Sequence, residues 1–484
     1  MRSFDILLSM VSKSGKLGHR QRGYYTTYPI DLLVYISFFT LVIFFLSGCQ
    51  NPDRPSPKNP VSLTVWHTYV RPMDFGFKTL VDEFNDTVGK REGIFITVTS
   101  TADAPNLNEK LFAAIEGDPG APEIPDMAVV YPPIAAALAK KGLVMDFASQ
   151  FSADEIARYV NDFVQEGTIN DTLYLLPILK STEVLYLNKT IFDRFAAEVP
   201  GISLLQLETF EGIVEVAEKY YQWSGGKTFY FPDLLFNYTM IGMEQMGEHF
   251  VQNRKLRVSS PAFERIWNIY YESAVRGYAA IFNSFGNYLA MTGEVVCVTG
   301  TSAAAIYYPD SITYKDNTKE ASEFIVLPFP VFKGGEKVAA QRGAGMCVIK
   351  STPAKEYAAA LFLKWFTAPE QNLRLTASTG YIPVTKQAFK DVMENGLRTI
   401  ENAMVKKAFL TALAMQKEYR FYVPPVFDGF DVLQSQYIEE IQKIAKVARE
   451  ERIQKGISSD ARGTALQVAR NKQDLAAFIA VFGN

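Results

Sequence analysis

Few residues of this chain are suited to covalent or metal chemistry. None of its histidines and cysteines stands in a CxxC, HExxH or calcium-loop pattern, the spacings that bring metal ligands together. We therefore expect no metal and no other cofactor. Cys297 and Cys347 lie in apolar, strand-like runs, which favours buried free thiols over a disulfide. The complete set in 484 residues is His19, His67, His249, Cys49, Cys297 and Cys347.

Two short motifs resemble catalytic or nucleotide-binding loops but are incomplete. Ser224–Thr228, SGGKT, lacks the first glycine of a phosphate loop, because Tyr221 stands at that position. Gly300–Ala304 ends in alanine where a nucleophile elbow requires glycine. No motif therefore indicates catalysis. A glycan hydrolase with two cleft carboxylates stays open as an alternative, since sequence cannot show which of 52 acidic residues lie together.

Cys49 is the one cysteine in a reactive context. Leu46-Ser47-Gly48-Cys49 resembles a bacterial lipobox, in which the thiol receives a diacylglycerol. The apolar run Leu32–Leu46 precedes it and would span about 22 Å as a helix, which is short of the roughly 30 Å hydrocarbon core. The pattern predicts a lipoprotein signal peptide over residues 1–48 and a lipid anchor at Cys49. An uncleaved N-terminal anchor is the alternative.

The residues that follow indicate a tether and then a sizeable folded body. Residues 49–60 contain four prolines and predict an extended spacer. The remaining length suffices for two lobes. Lys and Arg total 49 against 52 Asp and Glu, for a net charge of −3. This balance gives no electrostatic signature of nucleic-acid binding.

Strands and helices alternate at the start of this body. Val61–Trp66, Gly93–Ser100 and Asp126–Tyr131 read as strands, with helices over Phe75–Asn85 and Asn108–Ile115 between them. Such alternation predicts a parallel sheet covered on both faces. Ligands of such sheets bind outside the carboxyl ends of the strands, so we expect a binding site in the loops that follow these strands.

Motifs over roughly residues 61–400 resemble, in family order, the extracellular solute-binding family 1 of bacterial ABC importers. The most specific is Leu173–Phe192, LYLLPILKSTEVLYLNKTIF. The others are Leu63–His67 (LTVWH), Lys110–Asp126, Thr209–Glu211, Gly293–Val298 (GEVVCV) and Gly380–Val384 (GYIPV).

The resemblance implies an α/β, type II periplasmic-binding-protein-like fold, with two hinged lobes and mostly parallel sheets. Lobe 1 would comprise residues 61–165 and 300–375, and lobe 2 residues 166–299 and 376–484. A small sugar-like ligand would bind in the cleft, and the closed form would dock on ABC permease subunits. We expect an exported monomer, attached to the cell membrane through its lipid and facing the periplasm or the cell exterior.

The resemblance also suggests ligand-binding residues, each with a structural alternative. Trp66 could be a core residue, His67 a structural hydrogen-bonding group, and the Ser181-Thr182 pair a support for the turn between lobes. Trp223, Phe231 and Phe236 could form a stacking wall but fit a core better. The predicted ligand-binding residues are Trp66, His67, Tyr131, Ser181, Thr182, Thr301, Ser302, Gly343 and Tyr381.

Departures from the glycerol-phosphate-binding members bear on the ligand. Arg342 replaces the first glycine of a Gly-Gly pair, so it either contacts an anionic or hydroxylated ligand or lies on the surface. The stretch around Phe427 and Asp428 lacks a late arginine, and Pro132 replaces an acidic residue. A sugar, oligosaccharide or polyol is therefore favoured over a phosphate ester. A lipid-anchored glycan-processing enzyme and a sensing or adhesive lipoprotein of the same fold are the alternatives.

Overall fold

A computed structural model describes residues 53–70, 73–395, 400–425, 427, 429–457 and 461–483. The predicted signal peptide, Cys49 and Asp428 lie outside these residues. The end of the predicted tether is docked on the body. The Arg54 guanidinium stacks over the ring of Tyr357, 4.9 Å from its centroid, and the Asn59 N–H donates to the Ser56 carbonyl at 2.9 Å.

The described elements form an α/β body. The strands are β1 (Val61–His67), β2 (Ile94–Ser100), β3 (Met127–Val130), β4 (Thr168–Ile169), β5 (Thr172–Leu173), β6 (Leu176–Pro177), β7 (Ser181–Asn188), β8 (Tyr230–Pro232), β9 (Val251–Gln252), β10 (Lys255–Leu256), β11 (Cys297–Thr301), β12 (Ser311–Thr313), β13 (Lys319–Ala321), β14 (Phe324–Pro328), β15 (Val338–Arg342), β16 (Gly345–Val348) and β17 (Arg420–Tyr422). The α-helices are Met73–Phe84, Lys90–Glu92, Ala104–Glu116, Pro132–Lys140, Ala153–Ile156, Asn161–Glu166, Lys189–Glu198, Phe210–Trp223, Leu235–Gln245, Pro261–Arg276, Gly286–Met291, Pro353–Phe366, Pro369–Thr379, Lys386–Asn395, Ala403–Glu418, Phe430–Gln454 and Ala461–Phe482.

The first sheet has the strand order β2-β1-β3-β16-β6. β1 runs parallel to β2 and β3, as the alternation of strands and helices predicts. Leu63 and Val65 of β1 are fully buried and share a core with Phe77. The helix Met73–Phe84 buries five side chains at three- and four-residue spacing, which is why it covers this face of the sheet.

The second sheet is built around β7, whose eight residues are all buried. Its order is β17-β15-β7-β11-β8, and β14 also pairs with β7. β11, β14 and β15 run antiparallel to β7, whereas β8 and β17 pair in parallel with β11 and β15. A strand buried on both faces reads as a continuous apolar run, as VLYL in β7 does.

Strand direction differs from the sequence-based expectation. Both sheets are mixed rather than mostly parallel, because β16 runs antiparallel to β3 and β6 in the first sheet and three strands run antiparallel to β7 in the second. β14 and β15 belong to the second sheet. The segments β6 to β7 and β15 to β16 each pass directly from one sheet to the other.

Buried polar contacts attach the C-terminal helix to the body. The Trp267 Nε1–H donates to Asn471 Oδ1 at 2.7 Å, and the Tyr271 hydroxyl donates to Asp474 Oδ2 at 2.5 Å. The helix Ala461–Phe482 is therefore an integral part of the fold. Within the described ranges, no helix combines the length and the apolar character needed to cross a membrane.

Candidate ligand-binding cleft

A cavity of about 610 Å³ lies between elements of the two sheets. One wall comes from the helix Ala104–Glu116 and the segment that follows β3. The other comes from β15, the helix Leu235–Gln245 and residues 423–425, 427 and 429–434. Its described lining consists of Ala104, Pro105, Asn108, Glu109, Phe112, Tyr131, Pro132, Pro133, Ile134, Ala137, Glu166, Asn237, Gln341, Arg342, Gly343, Val423, Pro424, Pro425, Phe427, Gly429, Phe430, Asp431 and Gln434.

Tyr131 and Gly343 are the predicted binding residues that line this cavity in the described part of the chain. Tyr131 follows β3, at the carboxyl end of a parallel strand, and is 45% exposed. Gly343 stands between β15 and β16 with φ +106°, a backbone conformation that glycine adopts without strain. A Cβ there would lie 2.5 Å from the Leu179 carbonyl oxygen, so the two inter-sheet connections approach too closely for any side chain.

Trp66 and His67 are buried and do not belong to the described lining of the cavity. Trp66 packs in a small core with Leu107 and Leu111. His67 is fully buried, and its Nδ1 accepts a hydrogen bond from the Tyr69 N–H at 3.1 Å. Burial lowers the pKa of His67 to about 4, although the nearby Asp74 carboxylate opposes the shift. His67 is therefore neutral and positions Tyr69, on which its ring stacks.

The four predicted hydroxyl residues lie together but are engaged with one another. Thr301 Oγ1 donates to Ser181 Oγ at 3.2 Å, and the Thr182 N–H donates to Ser302 Oγ at 3.4 Å. Thr182 Oγ1 also donates to the Ala340 carbonyl at 3.0 Å. These contacts join β7 to β11 and β15 beside the inter-sheet connection. Direct ligand contact by these residues stays a prediction.

Tyr381 lies half-buried close to Arg342 and to the phenols of Tyr131 and Tyr307. Burial raises its pKa above the ordinary value for tyrosine, and Arg342 partly counteracts that shift. Burial also raises the pKa of Tyr69, and the phenols of Tyr381 and Tyr131 add to that shift. Tyr131 and Tyr381 thus lie near Arg342. A phenol both donates and accepts hydrogen bonds and also offers an apolar ring face.

Arg342 has a buried anionic partner. Its Nη1 donates to Glu183 Oε1 at 3.2 Å, and Asn237 Nδ2 donates to the same oxygen at 2.5 Å. Burial raises the pKa of Glu183, while Arg342 acts in the opposite direction. Burial also raises the pKa of Asp233 to about 6, against the opposing effects of the Gly286 N–H and of Arg342. The Arg342 side chain is 26% exposed and lines the cavity, a position that is compatible with ligand contact.

Sequence patterns did not single out several lining residues. Asn108 and Phe112 belong to an ordinary amphipathic helix, and Asn237 belongs to a helix that is buried throughout. By contrast, Phe231 and Phe236 are buried core residues, at 2% and 0% exposure, in agreement with the interpretation that the sequence favours. Trp223 packs on Phe195 and Tyr220. Cys297 and Cys347 are buried free thiols, which confirms that prediction.

A second cavity, of about 520 Å³, lies between the helices Pro261–Arg276 and Ala461–Phe482. No strand end reaches it within the described residues, and its lining includes Glu264, Glu272 and Lys472. We therefore place the candidate site in the cleft between the sheets.

Solved structures share this fold at low sequence identity. One is the cyclic α-maltosyl-1,6-maltose binding protein from Arthrobacter globiformis, with 17% identity and a TM-score of 0.62, covering 87% of this chain and 99% of that one. UgpB from Mycobacterium tuberculosis, in complex with glycerophosphocholine, has 18% identity and a TM-score of 0.63, with 87% and 98% covered. An ABC substrate-binding protein from Listeria monocytogenes, in complex with cycloalternan, has 15% identity and a TM-score of 0.64, with 88% and 99% covered.

No curated protein matches the chain in sequence. The family model described as bacterial extracellular solute-binding protein matches residues 79–397. That range contains both direct connections between the sheets and most of the cleft lining. Proteins of this family bind solutes and are not enzymes. With its two-lobe fold and its inter-sheet cleft, the chain belongs to the bacterial extracellular solute-binding protein family.

Proposed function

We propose that the protein is the exported, lipid-anchored binding component of an ABC importer, and that it captures a sugar, an oligosaccharide or a related polyol. The observation that carries this proposal is the cavity of about 610 Å³ between the two sheets. It combines aromatic faces with amide, phenol and guanidinium groups. Sugars need both, since their C–H faces pack on rings and their hydroxyls exchange hydrogen bonds.

The polar and aromatic groups of the cleft are sufficient for a reversible binder. Micromolar affinity corresponds to about −8 kcal/mol. A few hydrogen bonds at roughly 1 kcal/mol each, together with aromatic contact, reach that range. The proposed cycle is binding between open lobes, closure, and release to permease subunits. The two relatives solved as a maltosyl-maltose binder and a cycloalternan complex support a carbohydrate ligand.

The boundary between the lobes follows the sheets in this proposal. β14 and β15 pair with β7 and so move with the second lobe. The segments β6 to β7 and β15 to β16 then form the hinge. The bridge between Lys180 and Ile382 places the GYIPV segment beside it, with the Ile382 N–H donating to the Lys180 carbonyl at 2.7 Å.

We also propose that Cys49 carries the lipid and that the protein acts as a monomer. The lipobox pattern and the preceding apolar run support the anchor. Expression of the full chain in a bacterium, with and without Cys49→Ala, tests it. The wild type should sediment with membranes and carry an acylated N-terminal cysteine, whereas the variant should lose the acyl group. A membrane-bound protein that retains residues 1–48 would instead support an uncleaved anchor.

Ligand binding is tested by thermal unfolding of the mature protein with maltotriose, xylotriose, sorbitol and glycerol 3-phosphate. A ligand at a hundred times its Kd stabilises the folded state by about 2.7 kcal/mol. We expect a raised Tm with a hydroxylated compound and no chemical change in it, as chromatography of the mixture would show. A folded protein that responds to no such compound, or that cleaves one, would contradict the proposal.

A further inference from the structure

Arg342 lines the cleft, and a buried carboxylate on the neighbouring strand balances its charge. Arg342 is the last residue of β15, and Glu183 lies opposite on β7, with a side chain only 2% exposed. The Asn237 amide holds the same carboxylate oxygen as Arg342 does. Asp233 adds a second acidic group near the guanidinium. The cluster of Arg342, Glu183, Asn237 and Asp233 therefore offers a ligand no net positive charge.

The other described residues of the lining do not supply a positive charge either. Among its described members, the charged side chains other than Arg342 are Glu109, Glu166 and Asp431. Glu166 is paired with Lys180, at 2.8 Å. An anionic ligand would thus lose its hydration without meeting an unbalanced cation, which is costly in a partly buried site.

Arg342 nevertheless retains donors for a ligand. A guanidinium has five N–H groups. Among the described residues, its side chain makes one hydrogen bond, to Glu183. That bond orients the planar group, and the phenols of Tyr131 and Tyr381 lie near it. Charged donors form stronger hydrogen bonds than neutral ones do, so the arrangement suits hydroxyl or ring oxygens.

We infer that Arg342, held by Glu183, is the specificity-determining residue that selects uncharged, hydroxyl-rich ligands over anionic ones. The inference rests on the proposed function and adds to it the residues that set the charge preference of the cleft. Glu183 acts through Arg342 and is a positioning residue.

The experiment compares neutral probes with anionic ones, and the trisaccharides among them are matched in length. Maltotriose and xylotriose represent the neutral class, and trigalacturonate and glycerol 3-phosphate represent the anionic class. Isothermal titration of the wild type should give micromolar binding for a neutral probe and at least tenfold weaker binding for the anionic ones. The neutral affinity should change less than twofold between 50 and 500 mM salt, because no ligand charge is screened.

Two variants test the roles of the residues. Arg342→Gln should weaken neutral binding at least tenfold, and Arg342→Lys should not restore it, since lysine lacks the planar fork. Glu183→Gln should expose the arginine's charge and shift the ratio of anionic to neutral affinity at least tenfold toward the anion. A merely structural Glu183 would weaken both classes alike, and that result would overturn the inference.

The outcomes also separate the inference from the proposed function. Preferential binding of an anionic probe by the wild type would overturn the inference and leave solute binding intact. Failure of a cooperatively folded wild type to bind any probe of either class would count against the proposed function itself. Should Glu183→Gln fail to fold, the ligand preference of the wild type and the affinities of the two Arg342 variants still test the inference.

Discussion

Lys180 and Glu166 form an ion pair, Nζ to Oε2 at 2.8 Å, although their side chains are only 2% and 4% exposed. Lys180 lies on the connection from β6 to β7, and its Nζ also donates to the Gly343 carbonyl at 3.4 Å on the connection from β15 to β16. Glu166 also accepts a hydrogen bond from Gln341 Nε2. One buried ion pair therefore links both connections between the sheets.

Removal of the cation should destabilise this junction strongly. Lys180→Met leaves the Glu166 carboxylate buried without its partner, and we expect the free energy of unfolding in urea to fall by about 3–5 kcal/mol. The matched control is Lys141→Met, which breaks the exposed pair with Glu116 and should cost less than about 1 kcal/mol. Equal losses in the two variants would show that the buried pair has no special role.

Gly343→Ala should be more costly than alanine at another positive-φ glycine. The added Cβ would stand 2.5 Å from the Leu179 carbonyl oxygen, so the connections must separate. Gly142 is the control, because it has φ +71° but no atom within 4 Å of an added Cβ. We expect Gly142→Ala to cost about 1–2 kcal/mol in urea unfolding, and Gly343→Ala to cost more and to weaken ligand binding. Similar values for both variants would contradict the close approach.

Local patterns in the sequence predicted the elements near the cleft but not their pairing. The spacing of strands and helices identified β1, β2 and β3 and placed Tyr131 at a strand end, because neighbouring residues determine such periodicity. Strand direction in the second sheet depends on partners that are distant in the chain. β7, for example, pairs with β11, β14 and β15. No local pattern specifies those pairs.

Local sequence patterns also could not predict the contacts among Arg342, Glu183 and Asn237 in the candidate site. Arg342 and Glu183 are 159 residues apart, and Asn237 and Glu183 are 54 apart, so their contact exists only in the folded chain. The sequence marked Arg342 as a departure from a glycine pair and left its role open. Trp66 and His67 also lie at a strand end, but that position does not reveal which way a side chain points, and the folded chain buries both.

Tyr381 should contribute to ligand affinity without supporting the fold. It lies half-buried beside Arg342 and Tyr131. We expect Tyr381→Ala to weaken binding of the best neutral trisaccharide about tenfold in titration calorimetry, with little change in Tm. The control is Trp267→Phe, which alters a buried residue that packs against the C-terminal helix and should lower Tm while leaving affinity unchanged. Unchanged affinity in Tyr381→Ala would remove this residue from the site.

His67 should make stability depend on pH on the acidic side of neutrality. Its pKa is lowered to about 4 in the folded protein, against about 6.5 in an unfolded chain. Between pH 4 and 6.5 the unfolded state therefore binds more protons than the folded state does. The contribution of His67 to the free energy of unfolding is fully present above pH 6.5 and is lost as the pH falls toward 4. At full extent it is on the order of 3 kcal/mol.

His67→Gln tests this dependence, because glutamine keeps a hydrogen-bonding group but does not titrate. Urea unfolding of the wild type and the variant at pH 7.5, 6, 5 and 4.5 should show the difference in free energy of unfolding shrinking as the pH falls. Asp233 contributes with the opposite sign, since its pKa is raised to about 6, but it is present in both proteins and cancels in the difference. A constant difference across this range would mean that His67 is protonated in the folded state as readily as in the unfolded chain.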